Sequence, residues 1–228
     1  YIDFGIDEAK VIQDKKGRAI DIVKRVQGTG EKLIEDFMIA ANETVATHIS
    51  NMDLPFIYRV HDLPNAEKIE DFCNLIKQLG YQVHTNLNKI TPVTMQKLLD
   101  EFRDKDEFVI LSDMLLRSMK KAIYSTNNIG HFGLASKNYT HFTSPIRRFP
   151  DLTVHRLLRT YLFENRIDLE TINFNAKYLI DVAEHSSETE VNSIEAERDV
   201  LDMKMAEYME KHVGEEYDGI ISGVTNFG

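Results

Sequence analysis

The residues best suited to chemistry crowd into positions 130–151. Gly130 and Gly133 allow a backbone to approach a ligand closely. Phe132, Tyr139, Phe142 and Phe149 offer flat rings, on which a stacked base is worth about 1–3 kcal/mol. Arg147 and Arg148 supply planar guanidinium forks that match phosphate oxygens. Thr143, Ser144 and Pro145 can open a helix whose free N–H groups would face an anion. Hydroxyl, amide and guanidinium donors thus converge within about twenty residues, as holding a phosphodiester requires. The same residues have a plainer use: loop aromatics often pack into a core, and adjacent arginines often pair with carboxylates such as Asp151 or Glu197. Of the eight histidines, His48, His61, His131, His141 and His155 are the tempting metal ligands, but their spacing gives no compact ligand set beside a single cysteine, Cys73. His155 falls on an apolar helical face and reads as a hydrogen-bonded core residue.

These groups must be positioned by a chain that reads as α+β and mostly helical. Residues 1–4, 10–13 and 20–26 are strand-like, with a turn at Asp14-Lys15-Lys16-Gly17. A helix capped by Thr29 or Gly30 follows, its apolar positions at Leu33, Ile34, Phe37, Met38, Ala41 and Val45. Residues 54–60 are strand-like after Pro55. Asn65 caps a helix carrying Ile69, Phe72, Cys73, Ile76 and Leu79, which Gly80 ends. Thr91-Pro92 starts another helix, running to about Phe102, and residues 108–120 continue with Leu111, Leu115 and Met119 on one face. Beyond the irregular loop, residues 152–162, 169–185 and 188–212 are helical, and residues 216–224 alternate like a strand. Phe56 and Tyr58, two apart on a strand, share a face that is turned either to a ligand or to the core.

With 228 residues, 43% hydrophobic and 28% charged, the chain can bury a substantial core. Its net charge of −10 is unfavourable for coating nucleic acid non-specifically, though a local basic lining can still draw in a strand. No apolar run approaches the roughly 18 residues of a membrane span. One cysteine excludes a disulfide framework and points to a cytoplasmic protein. An opening Tyr1 and a closing Gly228 inside a turn suggest part of something longer.

The string Thr143-Ser144-Pro145-Ile146-Arg147-Arg148-Phe149-Pro150-Asp151, followed by Val154-His155-Arg156-Leu157-Leu158, resembles the signature of the RNB catalytic domain of the ribonuclease II and ribonuclease R family. Four more segments resemble that family in order: Phe37-Met38-Ile39-Ala40-Ala41-Asn42-Glu43, Phe56-Ile57-Tyr58-Arg59-Val60-His61-Asp62, Met114-Leu115-Leu116-Arg117-Ser118-Met119 and Ala196-Glu197-Arg198-Asp199. The likeness spans nearly the whole chain and is nearer the ribonuclease R branch. It implies that residues 1–212 form the C-terminal part of an RNB domain. Residues 213–228 would begin an oligonucleotide-binding barrel with its first strand. It further implies a processive 3′→5′ exoribonuclease that binds single-stranded RNA 3′ ends as a monomer and releases nucleoside 5′-monophosphates.

By position, the resemblance makes Arg147 the catalytic residue, touching the phosphate under attack. Arg148 would position phosphate or support structure, Glu197 would contact the terminal nucleotide, and Phe56 or Tyr58 would stack on bases. Lys137, Tyr139, Thr143 and Ser144 are further candidates for backbone or sugar contacts. The family's chemistry resembles a two-metal Mg²⁺ reaction held by an aspartate cluster, roughly Asp-Pro-x-x-Ala-x-Asp-x-Asp-Asp. Asp3, Asp7, Asp104, Asp106 and Asp113 lack that spacing. The metal ligands are therefore expected upstream, and the isolated chain is expected to be inactive. The alternative is a non-enzymatic RNA-binding scaffold whose carboxylates have been lost.

Overall fold

A computed structural model describes residues 2–5, 8–81 and 90–219. Strands β1 (Ala9–Gln13) and β2 (Ala19–Lys24) form an antiparallel hairpin, its ladder slipping between Ile12 and Gln13. The turn is fixed by the Asp14 carboxylate, which accepts from the N–H groups of Lys16 and Arg18, and by Gly17 at φ 77°. Ile2 to Phe4 form no strand; Ile2 N–H instead donates to Gly133 O at 2.9 Å.

Helix α1 (Thr29–Asn51) is capped by Gly28 rather than by Thr29 or Gly30, because Glu31 reaches back to the Gly28 N–H at 2.7 Å. Its expected apolar face is only partly used. Leu33, Ile34, Phe37 and Met38 are exposed, Phe37 by 64%, while Asn42, Ala46 and Ile49 are buried. The first turns of α1 project beyond the packed layers, so periodicity there has no partner surface to act on.

Strand β3 is shorter than the expected 54–60, spanning Tyr58–Val60, because the Pro55 carbonyl is taken by the Tyr161 hydroxyl at 3.0 Å. It pairs antiparallel with β4 (Ile123–Ser125), setting Arg59 opposite Tyr124. Helices α2 (Ala66–Gln78) and α3 (Pro92–Phe102) start where their caps predict: Asn65 Oδ1 accepts from Lys68 N–H, and Thr91 Oγ1 from Thr94 N–H, both at 3.2 Å. Helix α4 spans Phe108–Ser118.

Helix α5 (Phe149–Leu158) begins three residues before the expected 152, since Pro150 fits a first turn, where a missing N–H is harmless. It relaxes into a π-helical turn over Arg159–Phe163. The two helices expected at 169–185 and 188–212 are one, α6 (Leu169–Met209), closed by a 3₁₀ turn at Glu210–His212. Ser187 and Thr189, suitable for capping a new helix, instead return their hydroxyls to the carbonyls of Ala183 and His185. Of the expected strand at 216–224, residues 216–219 are irregular and the remainder lies outside the described residues, as does most of the expected barrel start at 213–228.

Two cores result. One joins α1, β3, β4, α5 and α6 through Ala46, Ile49, Ile57, Val154, Leu157 and Leu179. The other joins α2, α3 and α4 through Phe72, Ile76, Leu98, Leu99, Leu111 and Leu115. Each fully buried Leu or Phe contributes about 1.5–3 kcal/mol. Residues 126–148 run between them, placing Phe132 in the second core and Phe142 against the first.

Candidate functional site

The loop over residues 126–148 is laid onto β3 by backbone bonds. Arg59 N–H donates to Tyr139 O at 2.9 Å, His61 N–H to Gly130 O at 3.0 Å, and Phe132 N–H to His61 O at 2.8 Å. Thr140 Oγ1 donates to Ile57 O at 2.7 Å. Two glycines permit this closeness. A Cβ on Gly133 would stand 2.9 Å from His61 Nδ1, and Gly130, at φ 78°, would bring one to 3.1 Å from Ser136 O.

Buried polar side chains then fix the loop. The amide of Asn42 on α1 donates to the Tyr139 hydroxyl and accepts from Phe142 N–H. Tyr124 Oη and His141 Nδ1 share a hydrogen bond of 2.8 Å. His155 Nε2 meets Phe142 O at 2.9 Å while its ring stacks on Phe142, as its helical position suggested. Burial first, then the charges of Arg148, Arg59, His131 and Arg147, brings the His141 pKa down to about 2. Burial, with His61 and Arg59, brings His131 to about 3. Burial pushes Tyr124 up to about 12. Both imidazoles are therefore neutral at ordinary pH, and three arginines concentrate positive potential around His141.

The paired arginines have different fates. Ser144 O accepts from the N–H groups of both Arg147 and Arg148, which makes a turn. Asp151, 0% exposed, reaches back from the first turn of α5 to accept from Ser144 N–H at 2.7 Å and from the Arg148 guanidinium at 2.9 Å. Thr143, Ser144 and Pro145 thus do not open a helix toward an anion: α5 starts at Phe149, and its own carboxylate already serves the positive end. Arg148 is held as a buried-side partner. Arg147 is exposed, and its side chain makes no hydrogen bond or ion pair among the described residues.

The remaining sequence candidates scatter. Phe56 and Tyr58, 1% and 6% exposed, meet edge-to-face inside the first core, so neither ring presents a free stacking face. The ligand-facing option for that pair is corrected to the core option, because the face they share is the one that α1, α5 and α6 cover. Tyr139 is buried with its hydroxyl on Asn42, Thr143 and Ser144 are half-buried, and Lys137 is exposed. Glu197 stands on α6 at the wall of a groove of about 1100 Å³ shared with the β1–β2 hairpin, beside Lys10, Val11, Val23, Ile194 and Leu201. It is exposed and unpaired among the described residues. Arg59, Tyr124 and Glu190 were not singled out from the sequence, and His141 was weighed there only as a metal ligand. Arg59 donates to the Glu190 carboxylate and lies over the Tyr124 ring at 4.7 Å. A cation flanked by aromatics inside the matched segment 56–62 was the available signal. Among the described residues no three His, Cys, Asp or Glu side chains converge to hold a metal ion, so the groups present do not fit one. Among the described residues no helix is long and apolar enough to cross a membrane.

A family model described as the RNB domain matches residues 1–164. Ribonuclease R 1 of Lactococcus lactis is 48% identical over 227 residues, covering 100% of this chain and 28% of that protein. Ribonuclease R of Thermotoga maritima is 47% identical over 228 residues, covering 100% of this chain and 32% of that protein. The chain thus spans about a third or less of the length of these curated relatives. Mycoplasma genitalium RNase R, solved in its apo form and in complex with ribose methylated single-stranded RNA, is similar in structure at TM-score 0.93 and 34% identity. It covers 100% of this chain, which covers 36% of it.

Proposed function

We propose, on the premise that this chain belongs to the RNB domain family, that it forms part of a longer 3′→5′ exoribonuclease. That enzyme hydrolyses single-stranded RNA processively to nucleoside 5′-monophosphates, acting as a cytoplasmic monomer. Arg147 carries the reading. It is the exposed, unpaired cation of a turn anchored on both sides: Ser144 and Arg148 to Asp151, Phe142 to Asn42 and His155. A guanidinium so placed can meet the non-bridging oxygens of a phosphodiester and stabilise the negative charge that grows on them during attack. Behind the turn, Arg59 and Arg148 add positive potential around the buried, neutral His141. Glu197, on a groove lined by both charged and apolar side chains, can accept from sugar hydroxyls. The RNA complex of the Mycoplasma relative supports single-stranded RNA as the ligand. Mg²⁺, whose role would be to ready the water and the leaving oxygen, would be held by carboxylates outside this chain.

The test uses the full-length protein and end-labelled single-stranded RNA. Arg147→Ala is expected to lower turnover about 10²–10³-fold, with RNA affinity changing far less. Unchanged turnover would remove Arg147 from the mechanism. Tight RNA binding with no degradation by the unaltered protein would instead select the scaffold reading.

A further inference from the structure

The arginine turn and the Glu197 helix are far apart in sequence, yet one side chain touches the supports of both. Arg59, at the middle of β3, has only 13% of its side chain exposed. Its guanidinium pairs with Glu190 on α6 and covers the ring of Tyr124, its cross-strand neighbour on β4. From Tyr124 the path to the loop is short. The hydroxyl bonds His141 at 2.8 Å, and Arg59's own N–H holds Tyr139 O. On the other side, Tyr124 N–H donates to Ser187 Oγ on α6 at 3.0 Å. Glu190 precedes Glu197 by seven residues on one continuous helix. Seven residues are close to two turns, so both carboxylates lie on one face, about 10 Å apart along the axis.

We infer that Arg59 is a positioning residue: through Glu190 and Tyr124 it sets the register between α6, which carries Glu197, and the loop that carries Arg147. This deepens the function proposed above and rests on it. Helix α6 is a 41-residue rod whose buried side chains end at Ser186, while Lys204 in its C-terminal half donates to Gly17 O of the β1–β2 hairpin at 2.7 Å. Between these two ends, Ser187 and Glu190 tie the helix to the β3–β4 platform through Tyr124 N–H and the Arg59 guanidinium. A rotation or slide of α6 at this anchor would carry Glu197 with it. The fork of arginine suits the task, because it can pair in its plane while its face lies on the Tyr124 ring, which a lysine ammonium cannot do at once. Arg59 is too enclosed by these partners to be a substrate ligand itself, so its influence must pass through the groups it holds.

The full-length protein tests this with two mild variants, Arg59→Lys and Glu190→Gln. Each should lower kcat for single-stranded RNA about 10–100-fold, the penalty of misplacing groups by about an ångström, while KM changes less than threefold. In a Glu197→Gln background the same substitutions should cost less than threefold, because the group they position is already impaired. An equal fold-loss in both backgrounds would mark Arg59 as a general stabiliser and overturn the inference, as would unchanged kcat. A second arm needs no activity: hydrogen exchange across residues 139–148 should quicken in Glu190→Gln, and unchanged exchange there would also overturn it. Should the unaltered protein fail to degrade RNA, the function proposed above falls, and the exchange arm alone decides the linkage.

Discussion

Helices α2, α3 and α4 close over Phe72, Leu98, Leu99, Leu111 and Leu115, and their buried polar groups, Ser112 and Ser118, return hydroxyls to carbonyls of their own helix. The β3–β4 platform and its loop are built differently. There Asn42, Thr140 and Asp151 are buried, Arg59 and Arg148 are largely enclosed, and apart from the local Arg148–Asp151 pair their side-chain bonds cross to another element or a distant part of the loop. Three buried atoms on this side, His61 Nε2, Arg148 Nε and Asp151 Oδ2, find no hydrogen-bond partner among the described residues. The first region is held by non-directional burial, which tolerates small shifts. The second is held by directional polar contacts that fix one geometry at the cost of desolvation. A surface that must present a guanidinium at a set point needs the second kind of support.

The sharpest way to break this contrast is Asp151→Ala. The substitution leaves Arg148 without its partner beside the core and frees Ser144 N–H, so about 3 kcal/mol of stability should be lost. Turnover per folded molecule should fall with it, because the turn carrying Arg147 loses its anchor. Urea unfolding and single-stranded RNA degradation, measured on the same preparation, check both. Lost stability with full turnover would mean the turn is fixed by something else.

The two regions were also unequally legible. The caps at Asn65 and Thr91 are local signals, and the helices begin where those residues say. The loop announced itself through glycines, aromatics and adjacent arginines, and pairing with Asp151 was one of the options its composition left open. Which arginine pairs and which stays free was not legible, since it depends on Asp151 turning back across seven residues to Ser144. Glu190 was invisible as a partner of Arg59 because 131 residues separate them. Phe56 and Tyr58 carried the right chemistry on a strand, but only the packing of other elements decides which face is covered. The apolar stripe at Leu33, Ile34, Phe37 and Met38 misled for the same reason: periodicity reports a face, not whether anything lies on it.

Acid should separate the regions next. His131 and His141 stay neutral in the folded protein down to about pH 3 and 2, whereas in the unfolded chain imidazoles gain protons below about 6.5. As pH falls from 6.5, the unfolded state takes up protons that the folded state refuses, so stability is lost. By pH 5 the two histidines together should remove on the order of 2–4 kcal/mol. Carboxylates held low by hydrogen bonds, such as Asp168 on Thr171, lose their contribution only below the ordinary carboxylate range, which leaves the interval from pH 6.5 to 5 to the histidines. Urea midpoints at pH 7.5 and 5.0 read the loss, and His141→Gln should flatten it. A midpoint indifferent to pH would mean these rings are hydrated.

The smallest expected effect tests the other region. Asn65→Ala removes the oxygen that accepts Lys68 N–H at the start of α2, while Asn65 N–H keeps its bond to Ser118 O. A lost cap of this kind costs about 1 kcal/mol. Helix α2 packs chiefly on α4 and contributes only to the second core, so the loss should appear in the urea midpoint and leave RNA turnover per folded molecule unchanged. Phe132 is the exception that gives the measurement its force. It sits in the second core while belonging to the loop, three residues from Ala135 at φ 56° and next to His131. If loosening α2 were felt through Phe132, turnover would fall along with stability. The division into an apolar support and a polar, geometry-setting platform would then have to give way to a single coupled unit.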